Sequence, residues 1–326
     1  MSATSHPPAA DSPSVPPLAA RVRLALADIK LAHSVFALPF AILAAVMVID
    51  RVEGGERWLL LGLIVFCMVA ARTWAMLVNR LADHRLDAAN PRTARRAIAS
   101  GALRVKDGWA MALLSAALFL AGCAGFWFVS GNPVPLVLGV PVLGWIALYS
   151  YTKRFTALCH LFLGTALAIS PVCAVLAISP QTMGLMGGEL EATGWSVILL
   201  SAFVALWVAG FDVAYALQDF EYDRSVGLHS VPSALGVRGS LWVSRILHAL
   251  GYAALVGAWV IEPRFGVVFG VAVFGVAGLL VFEHLVLARR GIAGLPLAFF
   301  TLNGVVSVVL GLAGIANIVL ALFAVA

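Results

Sequence analysis

Charge is scarce in this sequence: only 11% of its 326 residues are Asp, Glu, Lys or Arg, while 62% are hydrophobic. A soluble domain carries about 25% charged residues, so a water-soluble globular protein is excluded. Cysteine is also sparse. Cys67, Cys123, Cys159 and Cys173 are scattered through apolar stretches without metal-ligand spacing, which argues against a zinc site and against a disulfide framework. His84, His160, His229, His248 and His284 add no ligand spacing. No basic domain stands apart from the apolar runs, which excludes nucleic acid as a partner. Residues 1–20 contain five prolines and no apolar core, so they read as a disordered tail lacking the apolar segment of a cleavable leader.

What remains is a series of apolar runs of membrane-spanning length, at about 33–50, 58–79, 108–129, 134–151, 157–178, 195–216, 241–261, 266–287 and 295–325. The fold class is therefore all-α, a polytopic membrane helix bundle of about nine transmembrane helices, the last long enough to tilt or break. Of 21 Lys and Arg residues, sixteen fall before the first span or in alternate connections, while Arg51, Arg57 and Arg264 lie on the other side and Arg72 and Arg245 sit inside the second and seventh spans. Positive residues stay cytoplasmic. The N-terminus is expected in the cytoplasm.

Six of the sixteen acids gather at the ends of two spans that open on that same side. One cluster lies in Arg72–Arg96 and carries Asp83 and Asp87; the other, Phe211–Ser225, carries Asp212, Asp219, Glu221 and Asp223. At about 100° per residue, Arg72, Met76, Asn79, Asp83 and Asp87 form one helical stripe. Asp212, Tyr215, Asp219 and Asp223 form a second, from which Glu221 points away. Each charge on a membrane helix costs roughly 2.5–3.5 kcal/mol, so such residues face the bundle interior and mark function. Protonation, pairing with bases or divalent cations could relieve their mutual repulsion. Arg72 or Arg80 offsets one or two acids, too few for five aspartates, and Mg²⁺ suits the remainder because substrate phosphates complete its shell.

Basic and Gly/Pro/Ser-punctuated loops follow the two clusters, Arg92–Gly101 and Arg224–Gly236, and both suit an anion. "YSYTKRFT", Tyr149 to Thr156, opens on the same side. Lys153 is a candidate diphosphate contact, Tyr149 a polar lid, and Arg154 a further cation. His33, beside Pro39, is another candidate for facing substrate.

Three ordered motifs resemble those of the UbiA-type intramembrane prenyltransferases, closest to the 4-hydroxybenzoate polyprenyltransferase branch: "NRLADHRLD" from Asn79 to Asp87, "YSYTKRFT", and "DVAYALQDFEYD" from Asp212 to Asp223. The loop "RRAIASG" departs by lacking a proline common in that family. The resemblance implies a single transmembrane prenyltransferase domain over residues 21–326 in the cell inner membrane, its active site facing the cytoplasm. It implies Mg²⁺ held by Asn79, Asp83, Asp87, Asp219 and Asp223, gripping a polyprenyl diphosphate. Asp83, Asp219, Asp223 and Lys153 are then catalytic, and Arg72, Asn79, Tyr149, Arg154, Asp212 and Tyr215 bind substrate. The acceptor is a small aromatic molecule such as 4-hydroxybenzoate, in ubiquinone-type synthesis; a naphthoate of the menaquinone pathway, or a haem, chlorin or homogentisate, is the alternative. A secondary transporter is the reading from another class. Its binding groups would lie near the bilayer midplane on broken helices, whereas these acids sit at helix ends.

Overall fold

A computed structural model describes residues 36–325, together with Pro17 and residues 23–24. His33 and most of residues 1–20 lie outside the described residues. The described chain is helical: α1 (Leu38–Val46), α2 (Glu56–Ala89), α3 (Val105–Ser130), α4 (Val134–Thr152), α5 (Cys159–Ile178), α6 (Ala192–Tyr215), α7 (Phe220–Ser225), α8 (Val231–Ile261), α9 (Val267–Arg290) and α10 (Asn303–Val325). Among the described residues, eight helical segments are long and apolar enough to cross a membrane. The 33–50 run is represented by α1, only nine residues long. At 1.5 Å per residue that is about 14 Å, half a bilayer core. It lies inside the bundle, with Phe40, Leu43 and Ala44 fully buried. The 295–325 run breaks, as its length suggested: a π-helical turn at Leu297–Leu302 precedes α10.

Lipid tails are as apolar as leucine, so close packing and hydrogen bonds join the helices rather than water exclusion. α5 and α6 meet at Gly164, where a Cβ would lie 2.1 Å from the Ala205 carbonyl oxygen. Trp207 of α6 stacks on Phe203 and meets Phe40 and Phe211 edge-on, with centroids 5.3–5.9 Å apart. Its indole N–H donates to Asn303 Oδ1 at 2.6 Å, which ties α6 to the start of α10. At the far end from the acidic clusters, Gly131 closes α3 with φ 69°, a left-handed cap. Asn132 then donates to the Leu176 and Ala177 carbonyls and accepts from Val134 N–H, joining the α3–α4 turn to the end of α5.

The second acidic cluster is not one continuous α-helix. α6 stops at Tyr215, a 3₁₀ turn covers Ala216–Asp219, and α7 follows. A 3₁₀ turn winds about 120° per residue rather than 100°, so the α-helical phasing behind the second stripe does not hold across it.

Gly164→Ala forces the α5–α6 contact apart against backbone and should destabilise the fold by about 1–3 kcal/mol. The check is the thermal unfolding midpoint of detergent-purified protein: a clear decrease is expected, and an unchanged midpoint would contradict so close an approach.

Candidate active site

The end of α2, the loop after it, the α4–α5 connection and the α6–α7 segment meet around a polar cavity of about 160 Å³. Asn79, Asp83, Asp87, Tyr149, Lys153, Arg154, Asp212, Tyr215, Asp219 and Asp223 all line it. Glu221 is exposed and takes no part. The two stripes therefore converge on one site, although the 3₁₀ turn lies within the second. Tyr222 O–H donates to the Leu86 carbonyl at 2.7 Å and fastens α7 to the end of α2.

Every one of the five aspartates has a nitrogen partner, and most partners come from a distant segment. Arg154 donates to Asp83 at 2.9 Å and to the Ala82 carbonyl at 2.7 Å. Arg96 donates to both oxygens of Asp87 at 2.7 Å. Arg92 makes a two-pronged contact with Asp219, its Nε at 2.8 Å from Oδ1, and Asn90 donates to the same oxygen at 3.1 Å. Lys153 Nζ lies 3.0 and 2.8 Å from the two oxygens of buried Asp223. His160 Nδ1 lies 2.6 Å from Asp212 Oδ2. Burial opposes the charge on Arg92 and on Lys153, yet Asp219 and Asp223 outweigh it and hold both bases above their ordinary pKa.

These partners correct one expectation. Arg72 takes no part in the pairs; its buried Nε has no hydrogen-bond partner and it lines the larger cavity described below. Arg80 donates to Asn79 Oδ1 at 2.9 Å. The acids are balanced instead by the loop arginines, the α4–α5 pair and a histidine. In the sequence Arg92 and Arg96 are legible only as members of a basic loop, Asn90 carries no signal, and His160 has no ligand spacing to mark it.

The loop after the second cluster is pinned to the same connection. His229 N–H donates to the Lys153 carbonyl at 2.8 Å, and Ser230 begins α8 with a reciprocal capping box to Ser233.

A second, larger cavity of about 550 Å³ opens from the polar one, sharing Asn79, Arg92, Thr93, Arg96, Tyr149, Asp212 and Tyr215 with it. Its walls are apolar, including Phe119, Phe126, Leu138 and Leu167, and it reaches Val134 and Ala177 at the opposite end of the bundle. α4, which runs alongside, has 19 residues, about 28 Å of rise.

The donor set has the chemistry of a hard-cation site, four carboxylates with the Asn79 amide oxygen. Among the described residues, however, no three acids, histidines or cysteines converge as a ready metal cluster. The residues fit Mg²⁺ in kind, with each carboxylate held by a basic partner.

A membrane bundle in which a charged pocket opens into a long apolar one offers a site for a molecule with a charged head and an apolar tail. Residues 37–305 match the model of the UbiA prenyltransferase family, and the chain belongs to that family. It is a multi-pass membrane protein and an enzyme of the prenyltransferase class. It is similar to the 4-hydroxybenzoate octaprenyltransferase of Nitrosomonas europaea, 28% identical over 233 residues that cover 70% of this chain and 73% of that protein. The enzyme of the same name from Nitrosomonas eutropha is 28% identical over 260 residues, 79% of this chain and 84% of that one. Among solved structures, a UbiA homologue from Aeropyrum pernix K1 superposes with a TM-score of 0.74 at 28% identity, covering 90% of this chain and 99% of that one. A UbiA homologue from Archaeoglobus fulgidus, bound to DMAPP and Mg²⁺, shares the fold with a TM-score of 0.66 at 16% identity, covering 90% and 99%.

Lys153→Met leaves the Asp223 carboxylate buried and unpaired. It should cost about 2–3 kcal/mol, the low end for a buried pair because Lys153 keeps some contact with solvent. Adding Asp223→Leu should recover most of the loss. Unfolding midpoints of the single and double variants check this, and no recovery would contradict the pairing.

Proposed function

We propose that this protein transfers a polyprenyl group from a polyprenyl diphosphate to a small aromatic acceptor, 4-hydroxybenzoate or a near relative, with Mg²⁺. The setting is respiratory quinone synthesis at the cytoplasmic side of the inner membrane. The observation that carries the reading is the continuity of the two cavities through Asn79, Arg92, Tyr149 and Asp212. It suits a molecule with a highly charged head and a long apolar tail. The relatives' names support the acceptor class.

Arg92, Arg96, Lys153 and Arg154 supply cationic donors for the diphosphate oxygens. Asn79, Asp83, Asp87, Asp219 and Asp223 would hold the metal, and the Arg92, Arg96, Lys153 and Arg154 side chains that pair with those carboxylates here would then be available to the phosphate oxygens. Mg²⁺, when bound, supplies stabilisation for the negative charge that builds on the leaving diphosphate. The carbon–oxygen bond of the allylic diphosphate breaks with its electron pair leaving on oxygen. The ring carbon beside the acceptor's hydroxyl group forms the new carbon–carbon bond, and the proton on that carbon passes to the ring oxygen, which restores the aromatic hydroxyl. Arg72, with its unpartnered Nε at the head of the apolar cavity, is placed for an acceptor carboxylate. Asp212 lines both cavities and is placed to accept the proton of the acceptor's hydroxyl. Tyr149 and Tyr215 stand at the junction of head and tail. The apolar walls keep water from the allylic cation.

The test uses purified membranes, a radiolabelled polyprenyl diphosphate and Mg²⁺, with 4-hydroxybenzoate and a naphthoate acceptor offered separately. Label is expected in a 4-hydroxybenzoate product and lost on adding EDTA. Product with the naphthoate alone would move the enzyme to menaquinone synthesis, and product with neither would contradict the acceptor class. In the same assay Asp83→Ala and Asp219→Ala should each lose at least about a hundredfold in rate, while Glu221→Ala keeps most of it. Equal losses in all three would contradict the site.

A further inference from the structure

His160 stands on the first turn of α5, is almost fully buried, and lines the polar cavity. It touches two other helices. Nε2 lies 3.3 Å from the backbone N of Val231, the first residue of α8, and Nδ1 lies 2.6 Å from Asp212 Oδ2 near the end of α6. A backbone N–H only donates, so Nε2 must present its lone pair to Val231. The proton of the neutral ring then sits on Nδ1 and is donated to Asp212. The imidazole is held in one tautomer by an atom that does not titrate.

The consequence falls on Asp212. One carboxylate oxygen is engaged by a fixed donor, which sets the side chain's rotamer. The other four aspartates are held by Arg or Lys and belong to the proposed metal and diphosphate set; Asp212 alone is held by an imidazole. We propose that His160 is a positioning residue for proton removal: it aims Asp212 at the acceptor's hydroxyl group. His160 also links that aim to the loop before α8, because Val231 follows directly on His229 and Ser230, and the His229 N–H donates to the Lys153 carbonyl. This inference rests on the aromatic-acceptor reading above.

The experiment measures kcat and KM of wild-type protein, His160→Ala, His160→Asn, Asp212→Asn and His160→Ala/Asp212→Asn in detergent, after checking that each retains its unfolding midpoint. The acceptors are 4-hydroxybenzoate and ring-fluorinated 4-hydroxybenzoates whose phenol is more acidic. His160→Ala should lower kcat by about tenfold or more while the KM for the prenyl diphosphate stays within about threefold. The loss should shrink with the acidic phenols, which need less help from a base. His160→Asn, whose amide N–H can stand in for Nδ1–H, should regain much of the rate. In the Asp212→Asn background, adding His160→Ala should have almost no further effect. If His160→Ala keeps wild-type kcat, or loses the same factor with every acceptor, or adds its full loss to that of Asp212→Asn, the positioning role is wrong. Should His160→Ala fail to fold, the His160→Asn profile across acceptor acidities and the Asp212→Asn comparison decide the same question. A wild-type protein that prenylates none of these acceptors overturns the acceptor reading itself, and this inference with it.

Discussion

Charge balance at one end of the bundle is the constraint on which the rest depends. Five aspartates sit at helix ends where each uncompensated charge costs kilocalories, and each is met by a nitrogen from another part of the chain or the following loop. Arg92 reaches across 127 residues to Asp219, and Lys153 across 70 to Asp223. A buried pair contributes little net stability, because desolvation consumes most of the attraction. Removing one member is expensive. The pairs therefore act mainly as constraints, fixing the α2 end, its following loop, the α4–α5 connection and the α6–α7 segment in one arrangement. The same set of acids and bases has the composition that a metal and a diphosphate require, so a structural necessity and a binding site coincide.

The division between polar and apolar space follows from the same geometry. The acids that line the cavities occupy the helix ends, with Arg72 and Arg80 further along α2, while the interior faces of α3, α4 and α5 present Phe119, Phe126, Leu138 and Leu167 to the larger cavity. The cavity reaches towards the opposite end of the bundle, which gives an isoprenoid chain room without exposing it to water. Trp207 and its aromatic neighbours brace this wall from behind, since Phe36 and Phe211 touch both the tryptophan and the cavity.

Much of this was legible in the sequence. The long spans follow from composition alone, because a lipid-embedded helix needs only length and apolarity. That Asn79, Asp83 and Asp87 share one end of the bundle with Asp212, Asp219 and Asp223 follows from the positive-inside count; the periodicity that sets Glu221 apart does not run through the 3₁₀ turn, although Glu221 is exposed. Other features were not legible, for physical reasons. The 3₁₀ turn at Ala216–Asp219 has no Gly or Pro to announce it, and α1 is a short buried helix within a run that reads as a full span. The pairing of Arg92 with Asp219 is tertiary, and one sequence states only that both charges exist. His160 is silent in the sequence because metal-ligand spacing says nothing about a histidine whose two partners lie on other helices.

The most direct test of the account is calorimetric binding of an unreactive prenyl thiolodiphosphate to the purified protein, with and without Mg²⁺, in wild type and in variants of each acidic cluster. Tight binding that needs Mg²⁺ and is lost in both Asp83→Ala and Asp219→Ala is the predicted result. It would mean that the two helix ends form one site in which metal and diphosphate replace the resting ion pairs. Equal affinity in EDTA, or loss confined to one cluster, would contradict it.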